Sequence, residues 1–437
     1  MESTSVLRDR LSITLIAVFL LGVASLLPWN IFTTANDYWR YKFRTVNGTE
    51  SNASEGLALS SSSTLANEGP PDQNKNQRFF GAYLSITSNV VFIFTLGLNT
   101  FVSKIVSSNA RIVNALLATI VMMIVTMILA KVNTDNEQLL FLGATLVIVA
   151  LINVMIGFLM GASMGICGYL PSRYMAVCSL GQATGGLICC AAQIGALLVG
   201  LGHEDTALLY FGLAVAILTL TLVAYKAMQR TDFYQHYRYL VSISSSTSAL
   251  ELTMTSVPYL EIFRKGWPFQ VSSFLVYAVT ISFFPGLTVN AVSTHYSRGS
   301  MLTDKLFIPL ACFTIFNIAD CAGRYLFSFM TMSFHRPTLL LTLCLCRVVL
   351  VPLFLICNIS PANRVHTSVL LNSDVAYILL MILAGASNGY LCTAAFVYAP
   401  KTVSIEHQEV SAGMASFFSG FGSAIGSVVS YGVLWLL

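Results

Sequence analysis

Charged residues are scarce in this sequence: Asp, Glu, Lys and Arg make up 10% of its 437 residues, whereas 56% are apolar. A soluble domain usually has about 25% charged residues, so a soluble chain of this length would lack a polar surface. The net charge of +4 is scattered, with no basic cluster that could follow a phosphate backbone, and nucleic acid is therefore not an expected partner. The composition predicts helices that face a lipid bilayer.

Disulfide and metal-binding patterns are missing as well. All ten cysteines fall in apolar or nearly apolar stretches, outside the long first polar loop, which argues against an extracellular disulfide framework. The six histidines fall in polar connections, and the sequence contains neither HExxH nor CxxC. We therefore expect neither a metal site nor a cofactor.

Long apolar runs, by contrast, are abundant. A helix needs about 20 apolar residues to cross a bilayer, and about eleven such spans are predicted. They lie near 11–32, 79–103, 110–131, 139–170, 176–201, 206–226, 267–292, 303–332, 336–358, 374–399 and 409–437. The first run is too long for a cleaved signal peptide, so we expect it to remain as a span. The predicted fold class is an all-α polytopic membrane protein.

Two polar segments interrupt the spans. The loop 33–78 contains glycosylation sequons at Asn47 and Asn52 and lies outside if the N-terminus is cytosolic. The segment 227–266 separates six spans from five, and we interpret 1–226 and 267–437 as two helical bundles joined by a flexible cytosolic connecting loop. This orientation places most loop lysines and arginines inside, and an odd number of spans then places the C-terminus outside.

Asp320 and Arg324 stand within the eighth predicted span, where an ionisable residue costs about 2.5–3.5 kcal/mol on insertion scales. Four residues apart, they share one helical face and can pair. Asn317 and Phe313 continue that face. An aromatic ring, an amide, a carboxylate and a guanidinium suit a solute with a flat ring and hydroxyl groups. The pair could instead be a self-neutralising structural element, and the residues alone leave both interpretations open.

A second cluster lies at the outer end of the first span. It consists of Leu26, Trp29, Asn30 and Thr33. Tryptophan at this depth is usually an interfacial belt residue, and from these residues alone we prefer that interpretation to a solute site. Pro28 would loosen the helix there, as Pro285 after Phe284 would in the seventh span. Arg347, in the ninth span, has no partner that the sequence identifies.

Short motifs stand in order along the whole chain. They are Leu26-Leu27-Pro28-Trp29-Asn30, Asp232-Phe233-Tyr234, Phe283-Phe284-Pro285, Phe307-Ile308-Pro309, Phe316-Asn317-Ile318, Asp320-x-x-Gly323-Arg324, Ser387-Asn388-Gly389-Tyr390 and Pro400-Lys401. Together they resemble the equilibrative nucleoside transporter family, and Pro-Trp-Asn and Asp-x-x-Gly-Arg are the specific elements. The resemblance implies eleven helices in a 6+5 major-facilitator-like arrangement. It also implies facilitated, gradient-driven passage of purine and pyrimidine nucleosides by alternating access.

The resemblance also implies roles for matching residues. By position, Asp320 and Arg324 correspond to a ribose-binding pair with Asn317 nearby, and Arg111 and Glu409 correspond to a charged pair near the cytosolic gate. Positions that line the cavity match Leu26, Trp29, Phe284 and Phe313. The predicted substrate-binding set also contains Asn30, Asn89 and Met160.

Met160 departs from the family pattern, which has a glutamine before Gly-Ser where the nucleobase is addressed. Met160 precedes Gly161-Ala162, and a thioether neither donates nor strongly accepts a hydrogen bond. Because of this departure, the resemblance does not predict which bases are selected. It still predicts the ribose contacts. Asn89 stands where relatives often have methionine, and our hypothesis is that it supplies a polar group to the base instead.

Other functions fit the residues less well. An intramembrane enzyme would need paired carboxylates or a metal triad, and Asp320 is the one clear acid well inside a predicted span. A seven-helix receptor conflicts with the number of spans. An organic cation or monoamine carrier could use Asp320 as a counter-ion, but Arg324 would already neutralise that acid.

A proton-coupled nucleoside carrier needs a titratable group in the translocation path. A carboxylate paired with a guanidinium stays ionised near neutral pH, so Asp320 is a poor proton carrier and a uniporter is expected. The short N-terminal tail has no dileucine-type extension, which favours the plasma membrane over lysosomal or other internal membranes. We expect the protein to function as a monomer that binds a nucleoside.

Overall fold

The computed structural model describes residues 9, 12–44, 75–103, 105–251, 258–296, 300–304, 306–330, 336–359 and 368–435. The predicted glycosylation sites Asn47 and Asn52 lie outside the described residues. The α-helices of the described chain are α1 (Ile13–Thr34), α2 (Asn36–Lys42), α3 (Lys75–Val102), α4 (Ser108–Lys131), α5 (Gln138–Tyr169), α6 (Ser172–Val199), α7 (His203–Met228), α8 (Asp232–Glu251), α9 (Tyr259–Phe283), α10 (Met301–Asp304), α11 (Ile315–Phe327), α12 (Pro337–Cys346), α13 (Leu350–Leu355), α14 (Asp374–Tyr398) and α15 (Gln408–Trp435).

Ten segments of the described chain are helical, long and apolar enough to cross a membrane. They correspond to α1, α3 to α7, α9, α12 with α13, α14 and α15. The remaining predicted span contains Asp320 and Arg324. There a seven-residue π-helix, Ile308–Thr314, runs directly into the 13 residues of α11, and the two together are long enough to span. The fold class, all-α and polytopic with about eleven membrane helices, is confirmed.

The π-helix accompanies a proline. Pro309 has no backbone N–H to donate, and its carbonyl accepts a hydrogen bond of 2.8 Å from the Thr314 hydroxyl, five residues further along. A π-helix pairs residues five apart and is often found at functional sites. The regular α-helical face that the sequence predicts from Phe313 to Arg324 therefore begins only at Ile315.

The helices run between two ends of the molecule. At the inner end, which the predicted orientation places in the cytosol, α1, α4, α6, α9, α12 and α15 begin. There the Tyr174 hydroxyl donates to Asp9 at 3.1 Å. At the outer end, Lys42 of α2 donates to the Val132 carbonyl at 2.9 Å and to Glu204 at 3.3 Å. Because Val132 follows α4 and Glu204 begins α7, Lys42 connects three helices.

Part of the segment predicted as a flexible connector is helical. The side chains of Phe233 and Tyr234, at the start of α8, are buried. The Tyr234 hydroxyl donates to Asn109 at 2.9 Å, and Ser244 donates to Glu406 at 2.8 Å. Burial of two aromatic rings outweighs the flexibility that the serine-rich composition indicates, so this part of the connector packs on the inner end.

Most helices pack against others from the same half of the chain. The extensive contacts are α1 with α6 and α7, α4 with α5 and α7, α9 with α15, and α11 with α14. The two halves meet where α15 contacts α3 and α5 and where α6 contacts α11 and α14. A cavity between the two halves of the chain, 1–226 and 267–437, would therefore be bordered by these helices. The division of the chain into two bundles at these positions stays a prediction.

Candidate functional site

The Asp320–Arg324 pair is formed on α11 and is buried. Arg324 Nε donates to Asp320 Oδ2 at 3.0 Å, and the two residues are 4% and 3% exposed. Their spacing of four residues places them one helical turn apart, as the sequence predicts. A buried ion pair needs further hydrogen bonds to offset the loss of hydration, and the neighbouring helices provide them.

Arg324 reaches across the contact between the two halves of the chain. Its Nη1 donates to both the carbonyl oxygen and the hydroxyl of Ser179 on α6, at 2.8 and 2.6 Å. The Ser179 hydroxyl is also within 3.0 Å of the Thr393 hydroxyl on α14. One guanidinium therefore joins a carboxylate of its own helix to the opposing half.

The second oxygen of Asp320 is bound by Asn388 on α14. Asn388 Nδ2 donates to Asp320 Oδ1 at 2.8 Å, and Asn388 is itself 4% exposed. This contact requires α11 and α14 to lie very close together. A Cβ atom on Gly389 would overlap the Asp320 carbonyl, and one on Gly323 would overlap the Ala386 carbonyl. Glycine at both positions lets the backbones touch.

Arg347 continues the same hydrogen-bonded cluster. It lies in a 3-10 turn between α12 and α13 and is 4% exposed. Its guanidinium donates to the Thr280 hydroxyl at 2.8 Å, to the Ser387 hydroxyl at 3.0 Å and to the carbonyls of Val276 and Ala384 at 3.0 and 3.2 Å. Thr280 in turn donates to Asn388 Oδ1 at 2.8 Å.

Aromatic rings lie beside the π-helix. Helix α9 ends at Phe283, so Phe284 and Pro285 follow the helix rather than bending it. Phe284 stacks on Phe316 with ring centroids 4.0 Å apart and meets Phe313 edge-on at 5.8 Å. Asn317 Nδ2 donates to the Phe313 carbonyl at 2.9 Å. The predicted lining residues of this half are thus gathered at one level of α11.

The other predicted lining residues differ in burial. Leu26, Trp29, Asn30 and Asn89 are half-buried, whereas Met160 is 3% exposed. Asn89 of α3 lies 3.5 Å from the Ser427 hydroxyl of α15, to which it donates. Its amide, proposed above as a substitute for the missing glutamine, therefore has a partner across the contact between the halves.

Arg111 and Glu409 form an ion pair at the inner end. Arg111 Nη2 lies 2.5 Å from Glu409 Oε1, with side chains 3% and 26% exposed. Arg111 also donates to Asn99 Oδ1 at 2.5 Å, and Ser108 donates to Glu409 at 2.6 Å. Helices α3, α4 and α15 are joined here, so this cluster holds the two halves together at the inner end.

Several site residues were not identified from the sequence. Ser179 and Thr280 are small hydroxyl residues in apolar helices, and no local pattern marks them. Asn388 stands in the motif Ser387-Asn388-Gly389-Tyr390, to which the sequence alone assigns no role. Among the residues that the structure describes, no group of three metal-ligating side chains is gathered.

Comparison of the sequence with known proteins shows which protein family it matches. Residues 146–435 match the family model described as nucleoside transporter. The chain is 29% identical over 454 residues to human equilibrative nucleoside transporter 1, with 97% of each chain covered. It is 28% identical to rat equilibrative nucleoside transporter 3, over 96% of this chain and 88% of the rat protein. It is also 28% identical to mouse equilibrative nucleoside transporter 2, with 97% of each covered.

Two solved structures share the fold at low identity. The proton:xylose symporter XylE superposes with a TM-score of 0.58 and 11% identity, over 95% of this chain and 86% of XylE. The human organic anion transporter MFSD10 gives a TM-score of 0.55 and 14% identity, over 98% and 95%. At identities this low, the likeness concerns the fold alone. The two superpositions confirm the expected major-facilitator-like architecture.

Proposed function

The chain belongs to the nucleoside transporter family, and on that premise we propose that it carries purine and pyrimidine nucleosides across the membrane down their gradient. It is a multi-pass membrane protein and a carrier rather than an enzyme. Transport by alternating access requires a solute site between two halves of the molecule, closed in turn at either end.

The observation that carries this proposal is the position of the Asp320–Arg324 pair. The pair lies where α11 meets α6, and Arg324 already bonds across that contact to Ser179. Each Asp320 oxygen accepts one protein hydrogen bond, and a carboxylate oxygen has capacity for a second. Two neighbouring hydroxyls of a ribose could therefore bind the two carboxylate oxygens, while the guanidinium donates to a sugar oxygen.

The remaining predicted residues form the surroundings of that sugar site. Phe284 and Phe313 meet edge-on beside Asn317 and would present flat apolar surfaces to a base. Trp29, Leu26 and Asn30 would border the site from α1. The Arg111–Glu409 cluster would be the inner gate, because it joins α4 to α15 at the end where those helices begin.

The driving force and location are part of the proposal. Asp320 is hydrogen-bonded to a guanidinium, so protonating it would leave a buried cation unpaired. This arrangement favours a uniporter over a proton-coupled carrier. The same cation disfavours an organic cation substrate. We further propose that the protein acts as a monomer in the plasma membrane.

Uptake into proteoliposomes tests the proposal. Purified protein should take up labelled uridine and labelled adenosine to equilibrium and no further. An imposed pH gradient should leave the initial rate and the final level unchanged. Accumulation above the external concentration when the gradient is imposed would show proton coupling, and no uptake of either nucleoside would reject the proposal.

A further inference from the structure

Gln182 is a buried glutamine whose amide is unpaired among the residues that the structure describes. It lies in the middle of α6 and is 1% exposed. Within the described chain, neither its Oε1 nor its Nε2 makes a hydrogen bond. An unpaired buried amide is costly, and native proteins keep few of them. Neither the proposed ribose contacts nor the proposed inner gate involves this residue.

Two contacts establish the height of the glutamine in the membrane. Ser179 bonds Arg324, and Gly186 lies against the side chain of Asn317, which a Cβ there would overlap. Helices α6 and α11 are therefore antiparallel, with the inner contact at Ser179 and the outer one at Gly186. The glutamine lies between these two positions and is level with Asp320, which lies between Asn317 and Arg324.

The geometry of α6 shows in which direction the Gln182 side chain points. Successive residues of an α-helix are rotated by about 100°. Gly181 and Gly185 of α6 pack against the backbone of α1 near Val23, whereas Ser179 and Gly186 face α11. Position 182 falls between these two faces. The amide therefore points into the angle between α1 and α11, two helices that carry predicted solute-binding residues.

Met160 lies on the face of α5 that turns toward α6. Cys167 of α5 interacts with Cys178 of α6. Met160 is two turns from Cys167 on the same face, and Gln182 is one turn from Cys178. Because α5 and α6 run in opposite directions, both residues lie on the outer side of the cysteine contact. The thioether and the unpaired amide thus approach one region from two helices.

Resting on the proposed function, we infer that Gln182 is the residue that recognises the nucleobase. Its Nε2 donates to an acceptor of the base and its Oε1 accepts from an N–H group, while Asp320 and Arg324 bind the ribose. Adenine and uracil both present a donor next to an acceptor on one edge, which a primary amide matches. Helix α6 thereby supplies the amide that Met160 does not provide on α5.

Gln182→Met tests the inference because methionine has a similar length but no amide. Competition against labelled uridine in proteoliposomes would compare adenosine, purine riboside (which lacks the exocyclic amino group) and 3′-deoxyadenosine. In the variant, discrimination between adenosine and purine riboside should fall by about three- to tenfold, the range of one neutral hydrogen bond. Discrimination against the missing 3′-hydroxyl should stay at its wild-type level. If the ratio of the inhibition constants of adenosine and purine riboside were the same in the variant and in the wild type, the inference would be overturned.

Gln270→Met is the matched control. Gln270 of α9 is fully buried and its Oε1 is also unpaired within the described chain, but its Nε2 donates to the Ser411 carbonyl at 3.2 Å. Its replacement should lower the melting temperature of the purified protein. The discrimination between adenosine and purine riboside and the discrimination between adenosine and 3′-deoxyadenosine should both stay unchanged. Gln182→Met should melt at or above the wild-type temperature, since no protein partner is lost. A drop equal to that of the control would mean a structural amide and would also overturn the inference.

The two proposals fail in different ways. Wild-type protein that takes up no uridine would reject nucleoside transport itself. Wild-type protein that takes up uridine, combined with a Gln182→Met variant of unaltered base discrimination, would reject only the role of Gln182.

Discussion

Asp320 and Arg347 are joined by two intervening side chains: Arg347 donates to Thr280, Thr280 donates to Asn388, and Asn388 donates to Asp320, each at 2.8 Å. All donations run in one direction, from guanidinium to carboxylate, so each bond polarises the next. Because the Thr280 oxygen accepts from Arg347, its own hydrogen points at Asn388 Oδ1. This orients the asparagine amide, whose Nδ2 must then face Asp320.

Thr280→Val should weaken solute binding without unfolding the protein. Valine has the shape of threonine but leaves Asn388 free to rotate and removes one acceptor from Arg347. We expect the KM for uridine to rise by about tenfold, since hydrogen bonds to charged groups are worth about 1.5–3 kcal/mol. Ser282→Ala is the control, because within the described part of the chain that hydroxyl bonds only the Val279 carbonyl of its own helix, at 2.6 Å. Equal KM values for the two variants would contradict the positioning role.

Asp320→Asn should reduce transport steeply while the protein still reaches the membrane. The lost carboxylate no longer accepts ribose hydroxyls, at a cost of about one to two decades in affinity. If the pair served only the fold, the unpaired Arg324 would instead cost about 3–5 kcal/mol of stability. The double variant Asp320→Asn with Arg324→Leu separates the two interpretations. Recovery of expression without uptake supports the solute site, and recovery of uptake would refute it.

Glu409→Gln should slow transport by weakening the inner gate. The variant keeps the shape of Glu409 but removes its charge, leaving the buried Arg111 with Asn99 and Ser108. We expect a lower rate of exchange and easier modification of Cys167 and Cys178, the buried cysteines of α5 and α6 on the inner side of the solute site, measured with a membrane-permeant thiol reagent. Glu261→Gln is the control, since it breaks an exposed pair with Lys265 at the same end, and such pairs contribute about 0–1 kcal/mol. Identical behaviour of the two variants would argue against a gate.

Met160→Gln should change the ratio of purine to pyrimidine uptake. Met160 is buried, and its spacing from Cys167 places it on the face of α5 that turns toward α6, so an amide there would approach the same region as Gln182 and could also address the base. The measurement is competition of adenosine and cytidine against labelled uridine. An unchanged ratio would mean that position 160 does not face the solute.

Free nucleobases should be carried poorly. The proposed anchor, Asp320 with Arg324, binds ribose hydroxyls, and a free base has none to offer. Uptake of labelled hypoxanthine and labelled inosine by the same proteoliposomes measures the difference. Hypoxanthine uptake as fast as inosine uptake would rule out a ribose-anchored site.

Features encoded within single segments were predictable from the sequence. Each span needs only enough consecutive apolar residues to exceed the bilayer thickness, so the membrane fold followed from composition and run length. Asp320 and Arg324 could be paired because four residues make one helical turn. The resemblance carried by Pro28-Trp29-Asn30 and Asp320-x-x-Gly323-Arg324 pointed to the family, which the family model then matched.

Features that depend on contacts between helices were decided only by the tertiary structure. The partners of Arg347 come from α9 and α14, and no spacing along the chain relates them. Asn388 reaches Asp320 because two glycines let α11 and α14 touch. Gln182 stands out only when its neighbours are known, since a lack of hydrogen-bond partners is a property of the packed structure. Sequence patterns describe one helix at a time, whereas these groups meet across several.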